Sequence, residues 1–199
     1  MSSTLVLAAE AFAREAHASQ RRKGSGEPYF VHLESVVARL DAHGHSDELT
    51  LSAGYLHDVF EDQPSFAARL RAEFPNELVR TVEVLSEVRL DAEGHLRPKA
   101  DRFADYLLGL SAETPHALRA RIVSCADKLD NALSLVDAER RGMRLLAQLS
   151  TLPEEHAAHF AALRTLYAPV VRPSLLAAYD DAGRALDEIV RALLPAEQS

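Results

Sequence analysis

The sequence contains one cysteine, two methionines and no tryptophan, and it lacks an apolar run of about 18 residues, the length that suggests a membrane span. Cys125 alone cannot form an internal disulfide, which favours a reducing cytoplasm. Met1 to Leu5 lack the basic and apolar stretches of a secretory signal. We therefore expect a cytoplasmic protein that does not span a membrane. Cys125 lies in an apolar segment, so we expect a buried, unreactive thiol.

Positive charge is also scarce. The 199 residues include 22 Lys and Arg against 30 Asp and Glu, a formal net charge of −8. This charge repels nucleic acid unless the surface carries a strong basic stripe. The only dense basic cluster is Arg21-Arg22-Lys23. Three such residues suit one small phosphorylated ligand, so we expect a small-molecule partner and no nucleic acid.

The apolar residues recur with a helical period along most of the chain, and 47% of residues are hydrophobic. This pattern predicts one all-α domain over residues 1–199, a bundle of about 8–10 helices. Gly44 should end one helix, Thr114-Pro115 should begin another, and residues 88–98 should form an exposed loop. The predicted helices are 4–20 (capped by Thr4), 31–43, 46–58, 65–74, 76–87, 99–110, 115–138, 142–150, 153–167 and 173–194.

One short segment concentrates acids and an imidazole. His57-Asp58 follows an apolar helical run, and Glu61-Asp62 comes three residues later. On a helix, residues four apart share a face, so these four side chains would form one patch, and they would stay close together even if the helix unwound after Val59. Three carboxylates and an imidazole in one patch are unfavourable without a cation among them. A lone His-Asp pair would be unremarkable at a helix end, but this cluster predicts a metal site.

Two further residues are candidate ligands for the same ion. His32 lies at the start of the second predicted helix, and Asp127 lies in an apolar helix where a carboxylate is costly unless compensated. Each has a structural alternative. His32 alone could be a buried, hydrogen-bonded histidine, and Asp127 alone could pair with Lys128 or an arginine.

Taken together, these residues resemble the HD superfamily of metal-dependent phosphohydrolases. The chain is similar in particular to the hydrolase domains of RelA/SpoT-type alarmone enzymes and to their small stand-alone hydrolases. The resemblance covers roughly residues 5–135 in consistent order, and helices over 142–195 would pack on this core. It is carried by Ala11-Phe12-Ala13, His17, Gln20-Arg21-Arg22-Lys23, Pro28-Tyr29, His32, Leu56-His57-Asp58, Glu61-Asp62, Ala126-Asp127-Lys128-Leu129 and Asn131.

The resemblance implies a role for each motif. Bound metal, expected to be Mn²⁺, would be held by His32, His57, Asp58 and Asp127, although such ligands also take Fe, Co or Zn. Glu61 and Asp62 would orient or deprotonate the attacking water.

The substrate contacts follow from the same resemblance. Arg22 and Lys23 would contact the nucleotide, and Asn131 would bind ribose or base. Tyr29 would line the pocket, but a role in core packing is equally compatible with its position. Lys99 would reach the pyrophosphate, but it could equally be a solvated surface lysine. His17 would be a buried structural residue or a partner of a ligand. The other histidines (residues 43, 45, 95, 116, 156 and 159) are expected at the surface.

The function that the resemblance implies is hydrolysis of the 3′-pyrophosphate of guanosine alarmones (ppGpp and pppGpp) to GDP or GTP and pyrophosphate. Two alternatives stay open. The same centre could act on another nucleotide or phosphorylated cofactor, because the segment 88–125 departs from the family pattern, or the chain could be a catalytically silent nucleotide-binding domain. The sequence is also compatible with a homo-oligomer.

Overall fold

The computed structural model describes residues 3–22, 25–146 and 153–193. This part of the chain is helical, with isolated β-bridges at Arg21–Pro28 and Leu90–Leu96. The all-α prediction is therefore confirmed. The helices are α1 (Thr4–Ala16), α2 (Phe30–Ala42), α3 (Glu48–Leu56), α4 (Val59–Asp62), α5 (Ala67–Glu73), α6 (Asn76–Leu85), α7 (Lys99–Ser111), α8 (Pro115–Arg140), α9 (Pro153–Tyr167) and α10 (Pro173–Leu193), with a 3₁₀ turn at Pro64–Phe66.

Helix α8 is the centre of the bundle. Helices α2, α3, α6, α7, α9 and α10 all pack against it. Its buried residues lie on every side of the helix, as expected for a helix surrounded by others. Thr114 caps its first turn by accepting a hydrogen bond from the Ala117 amide, and Pro115 occupies the first helical position. The predicted start of this helix is confirmed.

Helices α2 and α3 approach each other closely at Gly54. A Cβ at this position would lie 3.0 Å from side-chain carbons of both Leu40 and Val37. The absence of a side chain lets the end of α3 lie against α2. In this arrangement the ring centroids of His32 and His57 lie 5.4 Å apart, edge to face.

Several predicted helix boundaries were wrong. Ser3, rather than Thr4, caps α1 by accepting from the Val6 amide, and α1 ends at Ala16 instead of near residue 20. Helix α3 begins at Glu48 because Asp47 caps it through the Thr50 amide. The segment 46–58 is also not one helix, since α3 ends at Leu56.

The helix predicted at 142–150 does not form over its described residues. Gly142 adopts a φ of +79°, a left-handed conformation that ends α8. The Met143 amide then donates to the carbonyl of Ala138, a bond that closes the helix end. Residues 147–150 of this prediction and residue 194 of the last predicted helix lie outside the described ranges.

The loop predicted at 88–98 is confirmed, and it joins α6 to α7. Its Leu90–Leu96 bridge folds it back on itself, and both leucines are exposed. Cys125 is buried, and burial raises the pKa of its thiol, in agreement with the prediction of an unreactive residue. Within the described residues, none of the helices has the length and apolarity needed to cross a membrane.

The surface assignment was wrong for His45, which is buried, and residues 43, 116 and 159 are only half-exposed; the side chain of residue 156 is outside the described part of the structure. His45 is 8% exposed, and its Nε2 accepts a hydrogen bond from the Arg172 amide at 3.1 Å, which ties the turn after α2 to the start of α10. The ring of His159 on α9 is half-buried and stacks on Phe103 of α7 at 3.7 Å between centroids. Neither contact could be read from the local sequence, because each joins distant segments.

Candidate metal centre

Three parts of the fold bring the predicted metal ligands together. His32 lies in the first turn of α2, and Asp127 lies in the middle of α8. His57 and Asp58 form the break between α3 and α4. His32, His57 and Asp58 each offer one ligand atom within 4.8 Å of the others. Asp127 Oδ1 lies 3.2 Å from His32 Nε2 and 3.6 Å from His57 Nε2.

Both histidines turn the same nitrogen toward this centre. His57 Nδ1 lies 2.8 Å from the carbonyl oxygen of Gly54, which can only accept, so Nδ1 carries a proton. His32 Nδ1 lies 2.8 Å from Asp130 Oδ2 and donates in the same way. These contacts leave the two Nε2 atoms facing the carboxylates. Binding one nitrogen outside the centre is how metal-ligating histidines are usually oriented.

The charges within the cluster depend on one another. Burial opposes ionisation of Asp58, but His57 beside it holds the pKa of Asp58 below its usual range. Burial likewise opposes the charge on Asp127, but Lys128 and the two histidines hold its pKa well below the usual range. Burial favours neutral His57, whereas Asp58 and Asp127 raise its pKa. The two carboxylates therefore stabilise positive charge between them.

The donor set fits a divalent metal ion. His57 Nε2 is buried and makes no hydrogen bond within the described structure, although Asp58 Oδ2 lies 2.9 Å away. A buried imidazole nitrogen without a partner is costly, and a cation would give it one. Two imidazoles and two carboxylates suit Mn²⁺, Fe²⁺, Co²⁺ or Zn²⁺.

Further side chains hold the two carboxylates in place. The Tyr29 hydroxyl donates to Asp58 Oδ2 at 2.5 Å. Asn131 donates to Asp127 Oδ1 at 2.6 Å, and Lys128 contacts Asp127 Oδ2 at 2.9 Å. The structural alternatives considered for His32 and Asp127 are thus also present, since each has a hydrogen-bonded partner outside the cluster. These hydrogen bonds do not prevent His32 and Asp127 from pointing toward the same centre as His57 and Asp58.

Glu61 and Asp62 are located differently from the sequence prediction. The helix is interrupted at His57-Asp58, between α3 and α4, so the four residues do not share one face of a continuous helix. Glu61 accepts from the Glu87 amide at 2.6 Å and contacts Arg89 at 2.7 Å. Asp62 lies 3.3 Å from the same Arg89 and accepts from Gln20 at 2.8 Å. Burial raises the pKa of Glu61, and the Asp58 charge adds to this rise.

The predicted substrate residues fall into two groups. Arg22 contacts Asp130 at 3.1 Å and Asn131 at 3.3 Å, so it lies beside the metal cluster. Tyr29 and Asn131 contact the candidate ligands directly, as described above. Lys99 lies at the start of α7, a helix that carries none of the candidate ligands, and Lys23 lies outside the described residues.

Lys99 lines a cavity of about 270 Å³ between α7, α8 and α9. Lys128 also lines this cavity while it contacts Asp127, so the cavity and the metal cluster share a side chain. Besides these two lysines, its wall includes Glu87, Arg102, Phe103, Tyr106, His159, Phe160 and Leu163.

Sequence reasoning missed Asp130 and Arg89, and it quoted Gln20 without a role. Asp130 follows Asp127 by three residues on α8, and the presence of a second acid in an apolar helix was an available signal. No signal in the sequence pointed to Arg89, because its partners depend on how the 88–98 loop folds back. His17 is buried, stacks on Tyr29 at 5.1 Å and lies 2.7 Å from Gln20, so it contacts a partner of a candidate ligand.

The HD domain family profile matches residues 9–152 of this chain. The chain belongs to the HD domain family. Membership implies a divalent metal site, and the cluster described above has suitable donors.

Curated relatives are similar to this chain over most of its length. A probable guanosine-3′,5′-bis(diphosphate) 3′-pyrophosphohydrolase of Synechocystis is 33% identical over 66% of this chain and 17% of its own length. The corresponding Aquifex aeolicus enzyme is 30% identical over 62% of this chain and 17% of its own length. The bifunctional (p)ppGpp synthase/hydrolase SpoT of Escherichia coli is 26% identical over 90% of this chain and 25% of its own length. The chain thus spans about a fifth of these relatives, and the resemblance to RelA/SpoT-type enzymes is confirmed.

Solved structures share the fold. A metazoan orthologue of SpoT, described as hydrolysing ppGpp, superposes with a TM-score of 0.69 at 22% identity, covering 96% of this chain and 98% of that one. A protein from Listeria monocytogenes superposes with a TM-score of 0.57 at 24% identity, covering 83% and 99%. At these identities the likeness supports the helical fold.

Proposed function

We propose that this HD-domain protein is a metal-dependent phosphohydrolase that removes the 3′-pyrophosphate of ppGpp and pppGpp. Water would attack phosphorus and break its bond to the ribose 3′ oxygen, giving pyrophosphate and GDP or GTP. The single observation that carries the proposal is the meeting of His32, His57, Asp58 and Asp127 at one buried centre beside two further acids. The substrate is proposed from the activity that the names of similar relatives state.

We assign the ion to these four side chains and propose Mn²⁺ as its identity. A divalent ion in this position lowers the pKa of water and polarises a phosphoryl oxygen. The protein contributes the orientation of the ligands. Gly54 and Asp130 fix the two histidines, and Tyr29 and Asn131 fix the two carboxylates.

Glu61 would accept the proton of the attacking water, and Asp62 would help to orient that water. Burial and the neighbouring Asp58 raise the pKa of Glu61. A carboxylate with a raised pKa is a better base than an ordinary glutamate, provided that it stays ionised at the working pH. Arg89 favours the ionised form through its contact with Glu61.

The substrate would lie against the cluster beside Arg22 and Asn131, which contact each other, and beside Tyr29, which contacts Asp58. The Arg22 guanidinium can stack on a base or bind phosphate in a forked geometry. Lys23 would also contribute positive charge to nucleotide binding. Lys99 would bind phosphate from the cavity that it shares with Lys128, whose positive wall suits the most highly charged part of such a nucleotide.

A second candidate function keeps the metal chemistry but takes another nucleotide or phosphorylated cofactor. It is favoured by the composition of the cavity near Lys99, where Arg102 and the stacked pair Phe103–His159 form part of the wall. Such a surface could accept a planar group as well as phosphate. A silent nucleotide-binding domain is the third candidate.

The experiment is a substrate panel. The purified protein, loaded with Mn²⁺, is incubated with ppGpp, pppGpp, deoxynucleoside triphosphates and phosphorylated cofactors, and pyrophosphate and nucleotide products are measured. We expect one pyrophosphate per GDP from ppGpp, and loss of this activity after chelation of the metal. Turnover of another compound without turnover of ppGpp would support the second function. Tight binding without any turnover would support the third.

We also propose that residues 1–199 form one domain, with the C-terminal helices part of the same bundle as the motif-bearing core. The packing of α10 against α8 supports this organisation. The composition favours a cytoplasmic location and argues against nucleic acid as a partner, since the net charge is −8.

A further inference from the structure

We propose that Asp130 is a positioning residue that fixes the orientation of His32 toward the metal and holds Arg22 beside it. This inference rests on the proposed metal centre. It does not depend on which phosphorylated compound is the substrate.

Asp130 is 3% exposed and lies one turn beyond Asp127 on α8. Its Oδ2 accepts from His32 Nδ1 at 2.8 Å and from Arg22 at 3.1 Å. Its Oδ1 accepts from the Ser35 hydroxyl at 2.5 Å and from two nitrogens of Arg39 at 3.1 Å. Asp130 therefore links the Nδ1 side of the His32 ring, opposite the Nε2 that faces the proposed metal, to the predicted nucleotide arginine.

These contacts explain why a buried carboxylate is stable here. Burial raises the pKa of Asp130, but its hydrogen bonds with His32 and Ser35 hold the pKa below its usual range. Ser35 and Arg39 lie one and two turns beyond His32 on α2, so they hold Oδ1 while Oδ2 remains available to the ring. The carboxylate cannot rotate away from His32 without breaking several charge-assisted bonds.

The two histidines of the cluster are held by different means. His57 Nδ1 binds the backbone carbonyl of Gly54, a partner supplied by helix α3 itself. His32 Nδ1 binds a side chain on another helix. A substitution can therefore remove the orienting group of His32 and leave His57 intact. A carboxylate in this position also increases the basicity of the ligating nitrogen.

The test measures Mn²⁺ affinity by electron paramagnetic resonance titration of the metal alone, in Asp130→Asn and in a matched control. The control is Asp137→Asn, on the same helix, where the carboxylate is exposed and pairs with Arg141. We expect Asp130→Asn to weaken Mn²⁺ binding by about 10- to 100-fold, the usual effect of losing such a partner. Asp137→Asn should bind like the wild type.

A spectroscopic readout separates positioning from a general structural role. In the Zn²⁺-loaded protein, the Nδ1 proton of His32 should resonate far downfield because it is bound to a carboxylate. It should move upfield in Asp130→Asn and stay unchanged in Asp137→Asn. Far-ultraviolet circular dichroism checks that each variant is folded.

If Asp130→Asn does not fold, the double variant Ser35→Ala/Arg39→Gln tests the same idea, because it removes the bonds that hold Oδ1. It should weaken Mn²⁺ binding several-fold. Wild-type affinity in a folded Asp130→Asn protein, or in the double variant, would overturn the proposal. A wild-type protein that binds Mn²⁺ without hydrolysing any compound would overturn the proposed function alone, whereas one that does not bind Mn²⁺ would overturn both.

Discussion

The candidate site has two parts that are built differently. We call the four proposed ligands, His32, His57, Asp58 and Asp127, the floor, and the charged residues beside them, Arg22, Glu61, Asp62 and Arg89, the rim. The floor side chains come from helices or a helix break, and the most exposed of them, Asp58, is 19% exposed. In the rim, Arg89 comes from a loop and is 46% exposed.

This difference indicates what fixes each part. Packing around α8 fixes the floor, since its helices cannot move without disturbing the core. In the rim, Glu61 and Asp62 pair with the half-exposed Arg89, and partly exposed ion pairs exchange partners at little cost. We therefore expect the floor to determine whether a metal binds, and the rim to determine how fast and on which substrate the centre acts.

The largest effect should come from the floor. Asp127→Ala and Asp58→Ala each remove a proposed ligand, and each should abolish Mn²⁺ binding. Hydrolysis should fall by at least about 10³-fold, because metal catalysis supplies several kcal/mol of transition-state stabilisation. Elemental analysis and product assays check both effects, with Asp137→Ala as the control. Full activity in either variant would show that the substituted aspartate is not a ligand of the catalytic metal.

The next largest effect should come from the proposed base in the rim. Glu61→Gln keeps the shape of the side chain but cannot accept a proton. We expect the rate constant to fall by about 10²-fold or more, the usual range for a general base, while Mn²⁺ affinity stays within a few-fold of the wild type. Comparing kcat with the metal dissociation constant checks this separation. An equal loss in both would show that the floor and rim do not act separately.

A smaller effect should follow from Arg89→Ala. Burial raises the pKa of Glu61, and Arg89 partly opposes that rise. Without the guanidinium the pKa of Glu61 should rise further, so the acid limb of the pH–rate profile should move to higher pH. At neutral pH the loss should be less than about tenfold, since the contact is partly exposed. A profile unchanged or moved to lower pH would contradict this role.

The smallest effect concerns a histidine outside both parts. Burial, helped by Arg172, lowers the pKa of His45 below its ordinary value. The unfolded chain therefore takes up this proton first, and the free energy of unfolding should fall as the pH drops below about 6.5. Denaturation of the wild type and His45→Gln between pH 5 and 8 checks this. The variant should depend less on pH and bind Mn²⁺ normally, whereas equal pH dependence would contradict it.

The floor was predictable from sequence because its chemistry depends on residue type. Acids and imidazoles in an apolar helical chain need compensation, which pointed to His57-Asp58 and made Asp127 a candidate; the family resemblance then joined them with His32 into one ligand set. The overall helical fold followed from periodicity in the same way. Asp130 was within reach of this reasoning, since it lies one turn from Asp127 on the same apolar helix.

The rim was not predictable in the same way. The position of Glu61 depends on the break at His57-Asp58, and no proline or glycine marks that break in the sequence. The partner of Glu61 and Asp62 comes from the loop at 88–98, whose path depends on tertiary contacts. The same limit explains His45, whose partner Arg172 is 127 residues away.

Anomalous diffraction from crystals grown with Mn²⁺ is the most direct test of the floor. We predict one strong peak at the manganese edge, coordinated by Nε2 of His32, Nε2 of His57 and the carboxylates of Asp58 and Asp127. No peak at this centre despite bound manganese elsewhere, or a peak that Asp127 does not coordinate, would contradict the assignment.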